Sequence, residues 1–71
     1  MNKNILTTRE QEVFSLLVKN YTTRQIADKL FISEKTVRNH ISNVMQKLEV
    51  ESRTSAVIEL LKLGEIKIEN D

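Results

Sequence analysis

The stretch "LFIS", residues 30–33, constrains this chain more than any other. Leu30 closes one run of helically spaced apolar residues, and Ser33 opens the next as a candidate N-cap. Only Phe31 and Ile32 are left to turn the backbone. A turn this short holds two helices in close, angled contact, the arrangement of a helix-turn-helix. Ala27 is small where such helices should cross, and Ile26, Leu30, Ile32 and Val37 supply a shared core.

The rest of the punctuation agrees. The 71 residues include no proline and one glycine, and apolar spacing is helical nearly throughout; strand-like alternation appears only in "EIKIE", residues 65–69. Thr7-Thr8-Arg9-Glu10 fits a capping box, and a first helix should follow with Val13, Phe14, Leu16 and Leu17 on its buried face, ending near Asn20. Thr22-Thr23-Arg24-Gln25 repeats the signature before the second helix. Ser52 caps a fourth, "RTSAVIELLKL", which Gly64 ends in the left-handed conformation, with Ile66 able to fold back over it. The expected architecture is all-α, four helices in a single domain spanning 1–71, with 1–5 and 69–71 as disordered ends. A chain this short buries only ~60% of the surface its unfolded form exposes, so its stability is modest.

Composition removes several function classes. There is no cysteine for a disulfide framework, and one histidine cannot build a His-rich metal cluster. No apolar run approaches the ~20 residues of a membrane span, and the N-terminal segment has no long apolar stretch of the kind a secretory signal needs. The expected location is the cytoplasm. A phosphate-binding glycine loop is missing, as is an acid–base pair in an evident cleft, which argues against an enzyme and leaves no cofactor or small-molecule ligand in view. Nor is a receiver-type phosphorylation site present, and the starting Met1 favours an independent protein over a fragment.

Net charge is only +1, but the charges are segregated. Residues 22–48 carry Arg24, Lys29, Lys35, Arg38 and Lys47 against Asp28 and Glu34, a net of +3. Residues 49–71 carry three basic against six acidic side chains, a net of −3. Such polarity suggests a docking face for nucleic acid. The third helix shows where. With Val37 at the origin and about 100° per residue, Val37, Ile41, Val44, Met45 and Leu48 form one stripe. The opposite side holds Ser42, Lys35, Gln46, Asn39 and Asn43, flanked by Arg38 on one edge and by Lys47, Thr36 and His40 on the other. No acid interrupts this face. Arginine, asparagine, glutamine and serine can donate to phosphates and base edges, and an α-helix fits the major groove of B-DNA. His40 and Met45 read more simply as packing residues, and a polar helix face is more often merely solvated.

The motifs L-T-x-R-E-x-E-V, I-A-x-x-L-x-I-S-x-x-T-V-x-x-H, K-L-x-V and S-R-x-x-A-V, together covering about residues 6 to 68, resemble the LuxR/GerE family of bacterial helix-turn-helix transcription regulators. Within it, "FISEKTVRNHISN" and "MQKL" look most like a stand-alone regulator of spore-coat genes in sporulating bacilli, a bare domain with no receiver attached. The resemblance implies a third helix, residues 34–48, that enters the major groove. It implies base contacts from Arg38, Asn39 and Ser42, with Lys35 and Asn43 as further base readers. Thr23, Ser33, Thr36, Lys47 and Arg53 are the candidates for phosphate contacts. Thr22, Ser33 and Ser52 also fit plain helix caps, and Arg53 could instead hold the fourth helix against the third. The sequence departs from the pattern at Glu49, where many members have glycine, so the ending of the recognition helix stands open.

The fourth helix carries more apolar surface than a small core covers, an arc of roughly 220° on the wheel. Ala56, Val57, Leu60 and Leu63 should face inward, leaving Ile58 and Leu61 for a second copy, and the family resemblance likewise implies dimerisation here. A two-fold dimer would read a roughly palindromic site of two half-sites one DNA turn apart. The expected partners are double-stranded DNA and a second copy, with RNA polymerase as a further candidate. Two rival readings remain at this stage. A sigma-factor region 4 module shares the helix-turn-helix pattern without needing the apolar stripe, and a protein-interaction module would use that stripe for a partner helix.

Overall fold

The computed structural model describes residues 5–68. The four expected helices are α1 (Thr8–Leu17), α2 (Thr23–Leu30), α3 (Glu34–Leu48) and α4 (Arg53–Leu63). Each begins where a local hydroxyl can take an amide that the helix leaves unpaired. Thr7 and Thr22 form full capping boxes with Glu10 and Gln25, and Ser33 and Ser52 accept from the amides of Thr36 and Ser55. The expected ends at 1–5 and 69–71 lie outside the described residues except for Ile5, which is placed just ahead of α1. No strand occurs among the described residues: the "EIKIE" alternation leaves Ile66 buried and Ile68 exposed in irregular chain.

α3 is the axle of the fold, packing against each of the other three helices. Its apolar stripe does the work the sequence assigned it, with Val37, Ile41 and Val44 buried and Met45 and Leu48 packed at the margin. Val13 and Phe14 of α1, Ile26 and Ala27 of α2, and Ala56 and Leu60 of α4 close on that stripe. Ala27 is 4% exposed, consistent with a close crossing of α2 and α3. α1 is shorter than expected: it stops at Leu17, and a turn carries the chain to Asn20 in the left-handed region (φ 72°).

The helix ends show two departures from glycine usage. Phe31, in the turn between α2 and α3, is left-handed (φ 59°), as is Glu49 at the end of α3 (φ 57°). The question raised by Glu49 is thereby answered: the helix ends as it would with glycine there. Its amide donates to the carbonyls of Met45 and Gln46, and that of Val50 to Met45, but the backbone is strained for a side chain with a Cβ. Gly64 ends α4 as expected, with φ 75° and Ile66 folded back into the core.

α4 corrects one inward assignment. Leu63 shares a wheel face with Ala56 and Leu60 yet is 48% exposed. It stands in the last turn, where Ile66, returning behind Gly64, fills the core instead. Of the two residues assigned outward, Ile58 is 48% exposed while Leu61 is half-buried and packs partly against its own core.

Candidate nucleic-acid interface

With its stripe buried in the middle of the bundle, α3 leaves a polar flank free. Lys35, Arg38, Asn39, Ser42 and Asn43 are all exposed, and so is Gln46, so the five expected base readers do share one accessible face. Three hollows of about 240, 340 and 260 Å³ lie between other elements, none lined by a residue of α3. Among the described residues, no cluster of His, Cys, Asp or Glu could hold a metal. No helix of the described residues is long and apolar enough to cross a membrane.

The base-reading candidates are mostly without rigid partners, but Arg38 is an exception. Its Nη1 lies 3.5 Å from Oε1 of Glu34, one helical turn earlier. On the wheel Glu34 sits just outside Arg38, so the acid-free face is bordered on that side by the only carboxylate of α3. The i,i+4 spacing of Glu34 and Arg38 signals the pair in the sequence.

The five phosphate candidates present a different picture, because each is already engaged within the chain. Ser33 Oγ accepts from the amide of Thr36 at 3.0 Å and shares a hydrogen bond with Thr36 Oγ1 at 2.9 Å. Arg53 Nη1 donates to Thr23 Oγ1 at 3.3 Å, so this arginine ties α4 to α2 and not to α3. These hydroxyls and guanidinium groups keep further donors and acceptors available. Lys47 is more firmly committed. Its ammonium forms an ion pair with Glu10 and also donates to the Ile5 carbonyl at 3.3 Å, joining the C-terminal half of α3 to the start of α1.

Glu10 is the residue that sequence reasoning read only as half of a capping box. It is the one buried charged side chain among the described residues, 4% exposed. Burial by itself would raise its carboxyl pKa. Hydrogen bonds from Lys47 and from the Thr7 amide and hydroxyl, together with the Lys47 charge, outweigh that and hold the pKa below the ordinary value of 4.5. Nothing local could have revealed the partner, which lies 37 residues away. Arg24, the first basic residue of the segment 22–48, is exposed in the first turn of α2.

Comparison with known proteins gives these features a context. A family model described as "Bacterial regulatory proteins, luxR family" matches residues 4–60. The chain is 63% identical over 67 residues to the spore germination protein GerE of Bacillus subtilis, covering 94% of this chain and 90% of that one. It is 51% identical over 65 residues to the transcriptional regulatory protein DegU of Brevibacillus brevis, where it covers 92% of itself but only 28% of the relative. A solved structure of the transcription factor GerE superposes with a TM-score of 0.92 at 55% identity, covering 94% of this chain and all of that one.

Proposed function

The chain belongs to the luxR family of bacterial regulatory proteins and is a DNA-binding transcription regulator, and on that footing we propose that it binds a two-half-site operator as a homodimer. In this reading α3 lies in the major groove, with Arg38, Asn39 and Ser42 as principal base readers and Lys35 and Asn43 beside them. Thr23, Ser33, Thr36 and Arg53 fix the register through phosphates, which position without specifying sequence. Arg24 joins them from the start of α2. Lys47 would have to leave Glu10 to reach a phosphate, and we assign it to holding α3 on α1.

The observation that carries this reading is the exposed face of α3, which has five candidate base readers and no carboxylate among them. Dimerisation is supported by Ile58, an apolar side chain 48% exposed on α4, with Leu61 at its edge. The 63% identity to a spore germination protein over nearly the whole of both chains supports a role in sporulation genes. RNA polymerase is a further candidate partner in this reading, and the cytoplasm its location.

The test is a pair of substitutions, Arg38→Ala and Asn39→Ala, measured by retention of genomic duplexes alongside a helicity check by circular dichroism. Both side chains are exposed, so the fold should survive while sequence-specific retention is lost. Full retention with the same sequence preference would move the function off α3 and toward a protein partner on α4.

A further inference from the structure

Glu34 sets a puzzle that family membership does not resolve. A carboxylate beside the groove is repelled by phosphates, and the rest of the α3 face excludes acids. At the first position of a helix, an acid is favoured by the dipole, yet that would not require it to point at the base reader. Here it does: Glu34 Oε1 lies 3.5 Å from Arg38 Nη1, and both side chains are about half exposed (47% and 54%). Both are therefore open to solvent, and to DNA, while they touch each other.

A guanidinium has five donors, and the two-pronged contact to guanine O6 and N7 uses two. The Glu34 carboxylate, 3.5 Å away as an ion pair and not as a hydrogen bond, leaves that fork free while disfavouring rotamers that a long side chain would otherwise sample. It also offsets the charge that makes an unpaired arginine bind any phosphate in reach. We propose that Glu34 is a specificity-determining positioning residue, holding Arg38 in a base-reading pose and withholding it from non-specific phosphate contact. This rests on the assignment of Arg38 as a base reader. Glu34 itself needs no contact with DNA; it acts through Arg38.

The two ideas separate in one experiment. The unmodified protein, Arg38→Ala, Glu34→Gln and the double variant are each selected on a pool of randomised half-sites. Each is also titrated onto a non-specific duplex over a range of salt. Arg38→Ala should flatten the preference at one base pair. Glu34→Gln should weaken preference at that same base pair by roughly two- to fivefold, the scale of an exposed ion pair. It should also bind non-specific duplex more tightly, with a salt slope steeper by up to about one unit. In the Arg38→Ala background the Glu34 substitution should no longer change that base pair. A merely structural role would weaken every position alike and leave the slope alone, and that result would overturn the proposal. So would unchanged preference in Glu34→Gln when Arg38→Ala has flattened its position. If Arg38→Ala flattens no position, the reading of α3 fails first and the role of Glu34 falls with it.

Discussion

Phe31 and Glu49 both hold the left-handed backbone that glycine adopts without penalty, at φ 59° and 57°. An L-residue there costs on the order of 1–2 kcal/mol, and neither side chain repays it by burial: Phe31 is 93% exposed, and Glu49 is exposed as well. Replacing either by glycine should stabilise the domain by about 1 kcal/mol, a rise in Tm of roughly 4–8 °C for a chain of this size. Thermal melts of Phe31→Gly and Glu49→Gly check this, and a fall in Tm for both would refute the strain assignment. Glu10 makes the opposite case. Its folded pKa lies below its unfolded one, so its contribution is present above about pH 4.5 and is lost as pH falls through the folded value. Glu10→Gln should cost about 1–3 kcal/mol near neutral pH and lack that acid-side loss. Denaturant titrations across the acid range measure both. At this scale the sequence disclosed what is local. A threonine three residues before a glutamate announces a cap, but the Glu10–Lys47 pair exists only because the fold brings α1 and α3 together. The strained turn at Phe31 was equally hidden, because phenylalanine does not favour φ above zero, whereas Glu49 was signalled by the glycine that many family members carry there.

For whole elements, helix starts were legible because capping is written within four residues. Ser33 is the most consequential cap, since it sets the first turn of α3, the proposed reading helix. Ser33→Ala should cost about 1 kcal/mol and loosen Thr36, whose hydroxyl it also holds. Hydrogen exchange of the first α3 amides should show the loss locally, and uniform protection would count against it. Which way each helix faces was legible for α3, whose length lets a stripe of five apolar residues define itself. It was less so for α4. A wheel assumes that a helix is covered along its whole length, and it cannot show that the last turn is displaced from the core by Ile66, which leaves Leu63 in solvent. The proposed role of Lys47 also belongs to this scale. With its ammonium on Glu10, Lys47→Gln should leave the salt slope of DNA binding unchanged while lowering stability, whereas a fall of about one unit in the slope would return Lys47 to the phosphate set.

In the whole molecule, the charge segregation and the exposed Ile58 of α4 are what support the proposed reading helix and the proposed surface for a second copy. The exposed polar face of α3 could be drawn from the sequence because a single helix carries it. The phosphate set was harder, because Thr23 and Arg53 meet only once α2 and α4 are placed, 30 residues apart in sequence. Dimerisation is the least local property of all, and Ile58→Asp addresses it without touching the core. The variant should sediment as a monomer at concentrations where the parent is dimeric, and it should lose preference for paired half-sites while keeping the fold. The most direct test of the central claim is binding of the unmodified protein to sheared genomic DNA at near-physiological salt, with sequencing of what is retained. The expected result is an inverted pair of short motifs about one helical turn apart. Salt-sensitive retention with no shared motif would contradict it, leaving α3 a basic surface that holds DNA without reading it.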